Sequence, residues 1–374
     1  MKDRSAATGP LRGVRVIEFA GIGPGPFASM LLSDMGADVV SIARPGQGKR
    51  DVRDFVNRGR RVIELDLKNP AHIAQALDLI ASADVLIEGF RPQVMERLGL
   101  GPDVVLKRNP RLVYGRMTGW GQEGPLAQAA GNDINYIAIT GALDSFRAAN
   151  GETVSPLNLV GDYGGGAMYL VVGVLAGVIE ARTSGKGQVV DAAMCDGVSS
   201  MLTMFHSMKA TGRWTDQPRT NLLDGGAPFY RTYECKDGGF MAIGALEPQF
   251  YAELRKLAGL DEDCYDAQMN RKGWPNLHEK MTALFKSKTR DEWAAILEGS
   301  DACAAAVRGL FDAPTHPHLA ARQTFVNVDG HVQPAPAPRF SRTPSNIQGS
   351  PAVPPIDAAE ILSQWSQPAA AKAS

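Results

Sequence analysis

The chain has no surplus of charge. With 39 basic and 40 acidic side chains in 374 residues, it offers no general field for nucleic acid or a membrane surface, though a local basic cluster can still hold an anion. Cysteine is scarce: Cys195, Cys235, Cys264 and Cys303 form no C-x-x-C pair. This argues for reduced, ordinary thiols over a disulfide framework or a zinc cluster. The longest apolar run, residues 168–179, is broken by Gly173 and Gly177 and is short for a bilayer span. "MKDRSAATGP" has no apolar leader core, so the expected location is the cytoplasm. A G-x-S-x-G elbow, a Walker loop and an H-E-x-x-H pair are all missing, and the six histidines lack ligand spacing, so no metal is expected.

What is present reads as a soluble α/β protein, 44% hydrophobic and long enough for two domains. Short β-branched runs at 14–19, 37–43, 61–67, 84–90 and 111–121 alternate with helical patterns such as 27–36 and 70–83. That alternation predicts a parallel sheet with right-handed crossovers. Residues 167–187 read as a buried helix ending at Gly185, followed by a strand that becomes a methionine-rich helix. The expected organisation is a large α/β domain over 1–192, a helix and linker over 193–229, a small domain over 230–313, and a return segment with tail over 314–374. Two strands joined by a Lys-Asp-Gly-Gly turn (229–246) open the small domain, and the proline-rich stretch 333–355 is expected to run extended over the large one.

"EFAGIGPGPFASML" follows a strand and opens a helix, yet it is not a dinucleotide fingerprint. After Gly21 and Gly23 the third required position is Pro26, and Pro24 and Pro26 have no N–H to offer a pyrophosphate. Arg44 stands where an NAD enzyme needs an acid for the ribose. An arginine at the end of a parallel strand suits a phosphate instead, and Lys68 and Arg97 occupy comparable points after later units. Each alone reads as a solvated charge. Together at one sheet edge they favour a polyphosphorylated ligand such as coenzyme A.

"LNLVGDYGGGAMYL" places Asp162 before three glycines that open an apolar helix. The aspartate either caps that helix or does chemistry, and the glycines would let another backbone or a carbonyl come close. Glu247 ends a strand just before Pro248. In "AGNDINY", Asp133 lies between Asn132 and Asn135, and the Asn132 amide cannot exchange a proton near neutral pH. Met194, Met201, Met204 and Met208 lie near helical spacing, as a core stripe or as a surface for varied apolar groups.

The stretches "LRGVRVIEFAGIGPGPFASMLLSDMGADVV", "ADVLIEGFRPQVMERLGLGP", "RMTGWGQEGPL", "GNDINY", "NLVGDYGGG", "SGKGQVVDAAM" and "LDGGAPFYRTYECKDGGFMAIGALEPQFY" resemble the α-methylacyl-CoA racemases of the family III CoA-transferase superfamily, over residues 10 to 345. The resemblance implies a large Rossmann-like domain, a smaller α+β domain and an interlocked homodimer, with the site between the large domain of one chain and the small domain of the other. It implies coenzyme A contacts at Arg44, Lys68, Arg97 and Tyr136, with Leu65, Asp66, Leu67 and Lys68, and Glu88, Gly89 and Phe90, flanking the nucleotide. Gly131 and Asp133 are implied as coenzyme A-binding residues beside Tyr136. The acyl chain comes on coenzyme A as part of the substrate, and no other cofactor is required.

The chemistry it implies is a 1,1-proton transfer through an enolate, with Asp162 as acid/base on one face. The other face would belong to a histidine supported by the residue matching Glu247. The family pattern there is Gly-His-Asp-Ile-Asn-Tyr, and this chain has Asn132 in place of the histidine. Two-base racemisation is therefore expected to be impaired, unless Glu247 or Asp133 reaches the substrate directly. An introduced replacement, a natural relative with altered catalysis, and a CoA-binding role without turnover each accommodate Asn132. The alternative reaction is CoA transfer with Asp162 as nucleophile. Against it stands the racemase-like "LEPQF", and the small domain lacks the glycine run of the transferases.

Overall fold

The computed structural model describes residues 8–366, which divide into two compact units. Unit 1 runs to Ala142, resumes at Pro156–Met201, and includes the chain from Ala321 onward; unit 2 is Leu143–Ser155 with Leu202–Ala320.

Unit 1 is built on six parallel strands: β1 (Arg15–Phe19), β2 (Asp38–Ala43), β3 (Arg60–Glu64), β4 (Val85–Glu88), β5 (Val113–Thr118) and β6 (Gln188–Ala193), in the order β3-β2-β1-β4-β5-β6. Between them lie α1 (Pro24–Asp34), α2 (Pro70–Ala81), α3 (Val94–Arg97), α4 (Pro102–Arg108) and α5 (Asp133–Ile139), while α6 (Ala142–Ser145) begins at the last residue of this stretch and continues into unit 2. A wide-turned π-helix, Leu159–Met168, then continues directly into α7 (Tyr169–Ser184). Helix α1 starts earlier than its apolar period indicated, because Pro24 and Pro26 fill first-turn positions where a missing N–H costs nothing.

Strands buried on both faces need apolar side chains at successive positions. Val16, Val39, Ile87 and Val113 pack with α1 and α7, while their neighbours Ile17, Val40, Leu86 and Tyr114 pack with α2 on the opposite face. Helix α7 joins the sheet at glycines: a Cβ on Gly177 would sit 2.8 Å from Val113 Cγ1, and one on Gly173 2.5 Å from Val190 Cγ1. The helix expected to be buried is therefore buried on one side only. Its other side exposes Met168, Tyr169, Val172 (63%) and Ile179 (69%). Leu159–Ser184 is long and apolar enough to cross a membrane by length and composition, unlike the shorter run read from the sequence.

The proline-rich stretch is extended and hydrogen-bonds to unit 1: Asn346 N–H to Asp34 O, Gly59 N–H to Gly349 O, and Ile356 N–H to Val62 O. A further helix, hidden in sequence behind the prolines, packs Ala358, Ile361 and Trp365 against the α2 side of the sheet.

The chain passes into the main part of unit 2 after α8: α8 (Met194–Met201) belongs to unit 1 and α9 (Thr203–Ala210) to unit 2. Then come β7 (Tyr230–Glu234), β8 (Phe240–Gly244), α10 (Pro248–Ala258), α11 (Trp274–Phe285), α12 (Arg290–Leu297) and β9 (Ala304–Ala306), which form an antiparallel β7-β8-β9 sheet under helices. Helix α13 (Pro317–Ala321), the β10 (Phe325–Val328) and β11 (His331–Pro334) hairpin, and α14 (Ala358–Ser366) complete the chain. The boundaries differ from the expected 193–229 linker and 230–313 small domain. Residues 202–229 fold with unit 2, and so does 143–155, whose Arg147 carbonyl accepts from Arg219 Nη1 at 3.1 Å.

Candidate active site

In an open parallel sheet, ligands bind beyond the carboxyl ends of the strands where the strand order reverses. Here that point lies between β1 and β4. The loop after β1 holds Gly23, at φ 70°, and a Cβ there would stand 3.0 Å from Asp162 Oδ2. Asp162 therefore hangs over the switch point, with Phe27 of α1 stacked on Tyr163 beside it at 4.2 Å between ring centroids.

Asp162 belongs to the first turn of the π-helix, a geometry that recurs at functional sites. Its own N–H donates to Asp133 Oδ1 at 2.6 Å, and its Oδ2 accepts from Asn158 Nδ2 at 3.2 Å. Burial raises its pKa, the Asn158 hydrogen bond opposes this, and the Asp133 charge adds to it. A carboxylate raised in this way holds a proton more readily than an ordinary aspartate, as a base that must also return one requires. The glycines that follow serve the protein itself: Gly165 meets Gly197 of α8, and a Cβ on Gly197 would lie 2.0 Å from Gly165 O. Their room, read from sequence as space for another molecule, is taken by α8.

Asn132 is the N-cap of α5, extended at φ −133° and ψ 175°, and exposed. Asn135 Oδ1 accepts its N–H at 3.0 Å, a reach-back that fixes the start of the helix. Asp133 is 8% exposed, and its Oδ2 is buried without a hydrogen-bond partner. Tyr136 is buried edge-on to Trp120, and its hydroxyl donates to the Gly131 carbonyl. Gly119 and Gly131 are the floor of that ring: a Cβ on either would collide with it. Asn132, Asp133, Tyr136, Gly131 and Asp162 are thus one cluster.

The expected coenzyme A residues lie along the same edge. Arg44 follows β2, Leu65 to Lys68 follow β3, and Glu88 to Phe90 end and follow β4. Arg44 and Lys68 are exposed, and Asp66 Oδ1 accepts the Lys68 N–H at 3.0 Å. Leu65 is buried, and Leu67 packs partly buried against the same core. Glu88 differs from its neighbours: its carboxylate is buried against Arg116 at 3.1 Å and accepts the Phe90 N–H at 2.7 Å, so it shapes the turn from beneath. Burial pushes its pKa up to about 7 despite both partners. Gly89 is exposed, and the ring of Phe90 lies 6.3 Å from Phe19. Arg97, exposed, ends α3 one step farther along. Sequence reasoning passed over Arg91, whose charge acts on the Tyr136 hydroxyl and so stands near the cluster. Its place three residues beyond Glu88, at a strand end, was the available signal.

Glu247 lies in unit 2, exposed at the N-cap of α10, with its carbonyl accepting the Tyr251 N–H at 2.9 Å. Of the methionine set, Met194 is core in unit 1 and Met201 is exposed there; Met204 is exposed in unit 2. Among the described residues no group of histidine, cysteine and acidic side chains could hold a metal.

The sequence pattern of CoA-transferase family III matches residues 11–358. The chain is 42% identical over 337 residues to mouse (Mus musculus) alpha-methylacyl-CoA racemase, covering 90% of this chain and 87% of the relative. It is 40% identical to the human (Homo sapiens) enzyme of the same name, with the same two shares covered. The crystal structure of a CAIB/BAIF family protein from Brucella suis superposes with a TM-score of 0.78 at 25% identity, over 96% of this chain and 100% of that one. Sequence, sheet order and the Asp162 cluster converge: this chain belongs to CoA-transferase family III.

Proposed function

We propose that the protein removes and returns the α-proton of 2-methylacyl-CoA thioesters with Asp162, on one face of the carbon far faster than on the other. The observation that carries this reading is the raised Asp162 carboxylate at the switch point, its N–H held by Asp133, whose preceding residue, Asn132, has no proton to give. The thioester acidifies its α-carbon; Asp162 takes that proton, the electron pair moves into an enolate, and the same carboxylic acid delivers a proton back. A residue at 132 able to protonate the opposite face would complete inversion. An amide there leaves exchange with retention as the dominant outcome.

Coenzyme A is the handle, with Arg44, Lys68 and Arg97 on its phosphates and the 65–68 and 88–90 turns about its nucleotide. Glu88 contributes through its backbone, because its carboxylate is engaged with Arg116 and Phe90. No further cofactor enters the scheme. Identity of about 40% to racemases across the chain supports this substrate class. We place the reaction in the cytoplasm, away from nucleic acid and membranes, and assign it to a homodimer.

The test is deuterium uptake at Cα in D₂O, run separately on (R)- and (S)-2-methylacyl-CoA. Uptake from one enantiomer with little inversion supports the reading. Racemisation of both at equal rates overturns it, since another group would then replace the missing histidine. The same aspartate could instead act as nucleophile in CoA transfer, a reaction that does not need an ionisable residue at 132. In that case hydroxylamine would trap an acyl or CoA adduct on Asp162, and no α-exchange would occur.

A further inference from the structure

Buried arginines in unit 1 follow one rule: each has a carboxylate. Arg58 meets Asp34, Arg60 meets Glu18, Arg61 meets Asp38 and Arg116 meets Glu88. Unit 2 breaks it. Arg231 is half-buried on β7, sharing a strand face with the fully buried Tyr233, and its guanidinium lies 5.5 Å from the centre of that ring. Its Nε is buried with no hydrogen-bond acceptor, and no carboxylate pairs with it among the described residues.

Two further groups face the same place. His278 lies on the core-facing stripe of α11 with Trp274, Leu277 and Met281. Its ring is 5.8 Å from Tyr233, and its Nδ1 is likewise buried and unpartnered. Arg219 comes from a loop held in shape by Asn221, which is buried and bonds to the Thr215 carbonyl and to Asp224. Arg219 itself sits at φ 59°, and its Nη1 donates to the Arg147 carbonyl. Arg147 is occupied by Asp144, whereas Arg219 pairs with no carboxylate among the described residues. The charges of Arg219 and Arg231 both act on His278, and Arg219 acts on Arg231.

A buried guanidinium N–H without an acceptor, a buried unpartnered imidazole nitrogen and excess positive charge together suit a bound oxyanion. Stacking on Tyr233 does account for the face of the Arg231 guanidinium. It leaves the edge-on Nε–H, the His278 ring nitrogen and the second arginine unexplained. We propose that Arg219, Arg231 and His278 form an oxyanion-binding site in unit 2 for a phosphate or a carboxylate group. The planar forks of the arginines take two oxygens of such a group, and the histidine supplies a third donor once protonated.

His278 is also the reporter. Burial and the two arginines hold it down at about 4, so it is neutral in the unliganded protein near pH 6. The full-length protein, labelled at histidine, would be titrated by NMR with inorganic phosphate and separately with succinate, with sodium chloride at matched ionic strength as control; His278→Gln assigns the resonance. Binding raises the His278 pKa by a unit or more at about 10 mM anion, and Arg231→Gln weakens that response at least about tenfold. A larger response to phosphate assigns a phosphate group, and the reverse assigns a carboxylate. An equal response to chloride, no response to either anion, or a response that persists in both Arg231→Gln and Arg219→Gln would overturn the proposal. Arg219→Gln changes only a loop residue, so it remains informative if Arg231→Gln fails to fold.

Discussion

Position 132 sets two demands against each other. As the N-cap of α5 it favours a short side chain that accepts from the helix, and asparagine is among the best, while imidazole is not. In the proposed reaction it is where an ionisable ring would serve the second face. Asn132→His should therefore raise racemisation by about 10²–10⁴-fold and lower stability by about 0.5–2 kcal/mol. Chiral analysis of product and denaturant melts would check the two halves separately. Glu247 supplies a coupled measurement. If its role is to support a ring at 132, Glu247→Gln should change little in this chain and much in the Asn132→His background, and additive effects would contradict that role. Asp133 offers a third. Its charge contributes to the raised pKa of Asp162, so Asp133→Asn, which keeps an oxygen for the Asp162 N–H, should move the acid limb of the exchange-rate profile to lower pH. A histidine missing from a known pattern is legible in sequence. That the residue in its place caps a helix is not, because capping depends on backbone angles.

Among elements, the inner strands of the six-stranded sheet were readable because strands buried on both faces carry apolar side chains at successive positions; Val39, Val40 and Ile42 are interrupted only by Ser41. The β10–β11 hairpin went unread, and three other elements that escaped show why. Strand β9 is Ala304–Ala306, whose side chains carry no β signature. Helix α14 follows prolines that argue against any helix nearby. The π-turn around Asp162 leaves no periodicity distinct from that of the α-helix it joins, although it decides where the carboxylate points. The contact of that turn with α8 admits no side chain, so Gly197→Ala should cost about 1–3 kcal/mol and reduce exchange with it, measured by thermal melts and deuterium uptake. In unit 2, His278 makes α11 acid-sensitive. Its folded pKa of about 4 lies below the ordinary 6.5, so its neutral form is favoured on folding. The stability this confers is present above about pH 6.5 and is lost as pH falls through about 4. His278→Gln should flatten that decline in pH-dependent melts.

At the scale of the molecule, the outer face of α7 exposes Tyr169, Val172 and Ile179, one helical stripe of apolar side chains, and the neighbouring edge strand adds Val189. If the proposed homodimer forms through this stripe, Val172→Asp with Ile179→Lys shifts sedimentation from dimer toward monomer; wild-type protein that sediments as a monomer at micromolar concentration, or a dimer unchanged by the two substitutions, contradicts it.

The return of the chain to the first unit has a consequence for synthesis. In chain order, most of unit 2 follows the six-stranded sheet of unit 1 and precedes α14, the helix that seals the α2 side of that sheet with Ile361 and Trp365. On the ribosome, at a handful of residues per second, all of unit 2 emerges before that seal exists. The smaller unit can reach its final state while the larger one, begun first, still waits with one flank uncovered. Nascent protein in the cell would then be most exposed to chaperones through the part that was translated earliest.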